Sequence, residues 1–166
     1  MHVPNQKSEH YRDVESFMLR AGQTVPIVPA IPDDDVRYLR ARLTLEETFE
    51  KLAAMGVTIL QKETGYTIDF DDLDYDVTHN VDIYEWIDGC CDVAVVNTGD
   101  LCAMGLPDVP FQREVNSNNL AKFGPGSYVD SNGKLCKPDN HQGPRIAAIL
   151  HAIQANSNGR QVDFRT

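Results

Sequence analysis

Apolar positions recur at steps of three and four along most of this chain, the period of helices that bury one face. Val14, Phe17 and Met18 give a first amphipathic helix over about 9–21, which Gly22 stops. From Val36 the same steps run through Leu39, Leu43, Glu47, Glu50 and Ala54, predicting a long helix capped by Asp33 or Asp34 and ending near Met55. Its opposite face carries Leu45, Phe49 and Leu52; a helix apolar on two sides must be covered on both, so oligomerisation is expected. A third helix is expected over about 81–104 behind an Asn80 cap, a fourth from about 108 to 122, and a last one from Pro144 through Leu150 and His151. Between the first two helices, Val25-Pro-Ile-Val-Pro-Ala-Ile-Pro32 is held extended by its prolines and is suited to wrap a bundle. Val57–Gln61 and Tyr66–Phe70 suit a small hairpin, and Gly124-Pro-Gly126 with Asp130-Ser-Asn-Gly133 marks a loop or a second one. The expected fold is all-α: a bundle of four to five helices with a small β-hairpin insertion, assembling into an oligomer. One domain spans 1–166, with 1–8 as a flexible tail.

Acids interrupt the apolar stripes where core residues belong. Glu47 and Glu50 extend the stripe of the long helix, with Glu46 at its edge. Val81, Glu85, Asp88, Asp92, Val96, Gly99 and Ala103 repeat the arrangement on the third helix. Buried carboxylates are costly unless paired or bound to metal. A solvated acidic face is the ordinary alternative for one such helix; two stripes instead predict carboxylates that point inward to a shared interior. Hard divalent cations such as magnesium prefer oxygen ligands of this kind, and keep waters and phosphates as further partners.

Composition narrows the partners. The 166 residues are 42% hydrophobic and carry a net charge of -10, from 25 acidic against 15 basic side chains. That balance disfavours broad contact with nucleic acid or an anionic membrane, so a phosphate-bearing substrate needs metal as a bridge. The start, Met-His-Val-Pro-Asn-Gln-Lys-Ser, lacks the apolar centre of a signal peptide, and the expected location is the cytoplasm, of the host if the chain is phage-encoded. Cys90, Cys91, Cys102 and Cys136 show no zinc spacing and read as free thiols. The acidic run from Asp69 to Asp76 does not match a calcium loop at its glycine and closing positions, and reads as a solvated connector. Lys122, Lys134, Lys137 and Arg145 lie in an acid-poor stretch and can neutralise phosphates, although surface solubilisation suits each lysine taken singly.

The ordered set Glu46-Glu47-x-x-Glu50, Glu85-x-x-Asp88 and Asp92 resembles the all-α nucleoside triphosphate pyrophosphohydrolases, the MazG-like and phosphoribosyl-ATP pyrophosphohydrolase-like group. Asp88-Gly-Cys-Cys-Asp92-Val-Ala-Val-Val is similar to the second acidic helix of small phage-type members. Glu114-Val followed by Asn119-Leu-Ala-Lys122, and Gly133-Lys134-Leu-Cys-Lys137, are similar to their later segments. Relatives often carry Ser where this chain has Asn118.

The resemblance implies an enzyme that hydrolyses a nucleoside triphosphate to the monophosphate and pyrophosphate. Magnesium, for which manganese can substitute, would be held by Glu47, Glu50, Glu85, Asp88 and Asp92. Glu46 is the candidate general base or supporting carboxylate, and Asn119, Lys122, Lys134 and Lys137 are the expected phosphate-side contacts. Some small phage-type enzymes handle purine deoxynucleotides, so dGTP or dATP is the expected substrate and a homodimer or homotetramer the expected assembly. Trp86, Phe49, Tyr84 and Phe111 are the aromatic residues available to stack on a base or to fill the core. The competing class is a noncatalytic helical protein that binds metal or nucleotide.

Overall fold

Ser8 begins the fold: its hydroxyl accepts the Tyr11 amide at 3.0 Å and caps α1, Glu9–Arg20. The structure, a computed structural model, describes residues 6–130 and 133–156. Residues 1–5 of the expected tail lie outside the described residues. Lys7 and Ser8 are part of the fold, since Lys7 pairs with Glu15 at 2.6 Å and lies over the Tyr11 ring. Gly22, at φ +76°, ends α1, and the Gln23 amide turns back to the Met18 carbonyl at 2.9 Å. Phe17 and Met18 are half-buried as expected, but Val14 is exposed.

Asp33 caps α2, Asp34–Ala54, by accepting the Val36 amide at 3.0 Å. The proline-rich segment before it does not wrap the bundle of its own chain: Ile27 is fully exposed, and Val28 and Ile31 are largely so. After α2 the expected hairpin is reduced to a single bridge, Leu60 with Thr67, flanked by bonds from the Gln61 amide to the Tyr66 carbonyl and from Ile68 to Ile59. A 3-10 turn, Phe70–Asp72, follows. Phe70 meets Phe49 edge to face, with ring centroids 6.3 Å apart, and Leu52, Ile59 and Ile68 line one open cavity beside them. The second apolar face of α2 is therefore half covered by its own connector.

The third helix, α3, spans Ile83–Ala103. Its cap is Asp82 and not Asn80, because the Asp82 carboxylate accepts both the Tyr84 and Glu85 amides, at 3.0 and 3.2 Å. Asp108 caps α4, Val109–Ala121, which packs against α1. Phe17 and Phe123 meet at 5.2 Å, and Asn116 donates to Asp13 at 3.0 Å across that contact. The two-stranded sheet lies after α4: β1, Tyr128–Val129, pairs antiparallel with β2, Leu135–Cys136. The last helix, α5, Ile146–Asn156, packs on α4. It begins two residues after Pro144, because the Arg145 amide is taken by the Glu114 carboxylate at 2.9 Å while the Arg145 carbonyl accepts from Ile149.

Packing within the chain is sparse. Among the described residues Ala21 is the one buried apolar residue and Asn116 the one buried polar residue. Along α3 every residue from Ile87 to Gly99 is exposed.

Candidate functional site

The β1–β2 hairpin brings Lys134 onto α2. Gly133, at φ +78°, sits so close to Leu39 that an added Cβ would lie 3.2 Å from a Leu39 methyl. A left-handed backbone with a methyl at that distance favours glycine on both counts. The next residue, Lys134, forms an ion pair with Glu46 of α2. The Lys134 amide donates to Asp130 Oδ1 at 2.9 Å, which fixes the base of the lysine.

Lys122, at the C-cap of α4, completes the cationic side. Partial burial holds its pKa below the usual lysine value; Glu47 opposes that shift, whereas Lys137 and Lys134 add to it. Lys122, Lys134 and Lys137 thus share one electrostatic neighbourhood with Glu47. Asn119 is half-buried, and its carbonyl accepts the Lys122 amide at 3.2 Å, so it shapes the turn that presents the lysine.

Glu46 is half-buried, with one oxygen on Lys134 and the other buried without a hydrogen-bond partner among the described residues. Beside it Tyr38 and Tyr75 stack at 5.0 Å. The Tyr75 phenol is raised above its ordinary pKa, by burial first, then by Tyr38, with Glu46 adding to the shift and Arg42 opposing it. Sequence reading passed over Tyr38, Arg42 and Tyr75. Tyr38 and Arg42 do lie one helical turn apart, on the same side of α2 as Glu46, and that spacing was the available signal.

The acids divide differently from expectation. Glu47 and Glu50 on α2, and Glu85, Asp88 and Asp92 on α3, are all exposed in the single chain. Among the described residues no group of three or more His, Cys, Asp and Glu side chains is close enough to hold a metal. The expected shared interior between α2 and α3 is therefore not formed within one chain. The reason is in the connector: the long segment from Met55 to Asp82 does not force α3 back along α2. The two helices are linked near their C-terminal ends, where Lys51 Nζ reaches Asn97 at 2.8 Å and Asp100 at 2.7 Å. As a donor set the five carboxylates suit a hard divalent cation, being oxygen-only, and none of them makes an ion pair or side-chain hydrogen bond among the described residues.

Other singled-out residues have structural work. Arg145 is clasped by Glu114, with Nη2 to Oε2 at 3.0 Å, and does not face the lysine group as a free cation. Asn118 joins α4 to the segment before α5, donating to the Gln142 carbonyl at 2.7 Å and meeting His141 Nε2 at 3.1 Å. Of the aromatic candidates, Phe49 packs on Phe70, Trp86 and Phe111 are half-buried, and Tyr84 is 81% exposed. No helix among the described residues is long and apolar enough to cross a membrane.

No family model and no curated protein matches the chain. Among solved structures it is similar to a protein from Exiguobacterium sp. 255-15, provisionally named an NTP pyrophosphohydrolase. The likeness has a TM-score of 0.63 at 22% identity, over 92% of this chain and 100% of that one. At that identity the comparison shows a common fold, and the mostly helical chain with its small hairpin shares the architecture of that protein.

Proposed function

We propose that this chain hydrolyses a nucleoside triphosphate, with a purine deoxynucleotide such as dGTP or dATP as its substrate, to the monophosphate and pyrophosphate. The observation that carries the reading is the Lys134–Glu46 ion pair, with Lys122 at the end of α4 and Lys137 after β2 in the same electrostatic neighbourhood as Glu47. Lysines so placed beside a carboxylate face suit a ligand that is itself anionic and bridged to the carboxylates by cations. The shared fold with the Exiguobacterium protein agrees with this reading.

In this reading Glu47, Glu50, Glu85, Asp88 and Asp92 would hold magnesium, or manganese in its place. A cation bound there would draw charge from the phosphates and lower the pKa of a coordinated water. The other steps belong to the protein. Lys122, partly desolvated and crowded by two lysines, gains a counter-charge when a phosphate arrives. Glu46 holds Lys134 toward the same ligand and so acts as a supporting carboxylate, while Lys137, on the exposed side, meets the outer phosphates. Asn119 orients the turn that carries Lys122. The active form is a homodimer or homotetramer working on free nucleotide, in the cytoplasm.

The test is hydrolysis of a panel of nucleoside triphosphates with magnesium, before and after chelation. Turnover abolished by EDTA and restored by magnesium or manganese is expected. Unaltered activity in excess EDTA would remove the mechanism.

A further inference from the structure

Asn118 fixes the state of His141. Its amide nitrogen donates to the Gln142 carbonyl at 2.7 Å, and a carbonyl can only accept, so the Asn118 oxygen is the atom turned toward His141 Nε2, 3.1 Å away. Nε2 therefore carries the hydrogen of that bond. The other ring nitrogen, Nδ1, has no hydrogen-bond partner among the described residues, and His141 makes no ion pair with any of them. The half-buried ring is thus pinned through one nitrogen, with the second left uncommitted.

The segment that carries this ring runs back along α4. Glu114, Asn118 and Lys122 follow steps of four on one face of that helix, about 5–6 Å apart between Cβ atoms. Arg145 meets the first at 3.0 Å, His141 and Gln142 meet the second, and Lys137 shares the electrostatic neighbourhood of the third. A turn closed by the His141 amide on the Pro138 carbonyl, at 3.0 Å, keeps the ring close behind Lys137. The charged groups around it are Glu114 and Lys122 on α4, and Lys137, Asp139 and Arg145 on its own segment. Glu114 is already occupied by Arg145, so an imidazolium here is best stabilised by an anion that the two lysines also attract.

Resting on the proposed function, we infer that His141 is a further phosphate contact beside Lys122 and Lys137, and that it binds only as its cation. Neutral, Nδ1 turns a lone pair toward the phosphate oxygens and repels them. Protonated, it donates to one of them in a charge-assisted bond. Binding of a triphosphate accordingly takes up a proton within the range of about pH 5–8 where imidazole changes charge. Affinity is greatest at the acid end of that range and falls as pH rises through it. Asn118 is the positioning residue, because its oxygen holds Nε2 and leaves Nδ1 for the ligand.

The test titrates the full chain by calorimetry with inorganic triphosphate and with a nonhydrolysable nucleotide, at about pH 6 and about pH 8, in buffers of different ionisation enthalpy. These ligands titrate as well, so the wild type is compared with His141→Gln. The glutamine amide can still donate to Asn118 but offers no proton at the Nδ1 position. The wild type is expected to bind about tenfold more tightly than the variant at the acid pH and about equally at the alkaline one, with a proton uptake that the variant lacks. The same pH dependence in both proteins would overturn the inference. Should the variant fail to fold, the histidine C2 proton resonances of the wild type decide instead. One histidine is expected to gain charge when triphosphate is added at about pH 7, and no change in any of them would overturn the contact. If the wild type hydrolyses no nucleotide but binds inorganic triphosphate with this pH dependence, the functional reading fails and the His141 contact stands. A wild type that binds neither anion overturns the contact.

Discussion

Lys134, at the start of the second hairpin strand, is ion-paired with Glu46 in the middle of α2, although the two are far apart in sequence. The pair anchors the hairpin beside Glu47, but it is partly exposed, with 39% of the Lys134 side chain in solvent, and such pairs contribute about 0–1 kcal/mol. Glu46→Gln is therefore expected to cost no more than about 1 kcal/mol in denaturant unfolding. It should raise KM for nucleotide more than it lowers kcat, because Lys134 loses its anchor. A stability loss of several kcal/mol with unchanged KM would make Glu46 a purely structural residue.

Lys122 and Asp88 separate ligand binding from metal binding. Lys122→Ala is expected to weaken affinity for a nonhydrolysable nucleotide by about 1–3 kcal/mol, the range for a lost charge-assisted bond, while leaving manganese binding intact. Asp88→Ala should lose the metal first. Calorimetric titration of both variants with metal, then nucleotide, checks the assignment; the opposite pattern would reverse the two roles.

The direction of the Lys122 shift sets a pH dependence. Its pKa in the folded chain lies below the usual 10.5, so between the folded and unfolded values the native state binds fewer protons. The cost of burying its charge is accordingly present below that window and is relieved as pH rises through it, so this group adds stability toward alkaline pH. Nucleotide affinity runs the other way, since a phosphate needs the charged amine, and should fall as pH rises through the lowered pKa. Calorimetry across the alkaline range should show this fall in the wild type and a much weaker one in Lys122→Arg, whose guanidinium stays charged.

Much of the fold was legible from periodicity and capping chemistry. Asp33 begins a helix and Gly22 ends one as side chain and backbone freedom dictate. Asn80 misled because Asp82, two residues on, offers a carboxylate to two amides at once. The two acidic stripes predict carboxylates that point inward, whereas this chain leaves them exposed, because a stripe at helical spacing does not fix what lies against that face. The Lys134–Glu46 pair was not legible, because residues so far apart in sequence meet only through the hairpin. The Tyr38–Tyr75 stack was not, because Tyr75 lies in an acidic connector whose path no periodicity sets.

Carboxylates that share a cation repel one another when it is absent. Glu47→Gln, Glu50→Gln and Asp92→Asn should each lose hydrolysis while keeping or raising the thermal midpoint in metal-free buffer. Adding magnesium should raise the midpoint of the wild type more than that of any variant, as ligand linkage requires. Wild-type turnover by all three variants would show that the ligands are elsewhere.

The most direct measurement is the product balance of one reaction. Purified protein is incubated with dGTP or dATP and magnesium, and phosphorus resonance follows the nucleotide and the released phosphate species. Monophosphate and pyrophosphate in equal amounts are expected, with no diphosphate accumulating. Diphosphate with orthophosphate, or intact triphosphate across the whole nucleotide panel, would contradict the proposed hydrolysis.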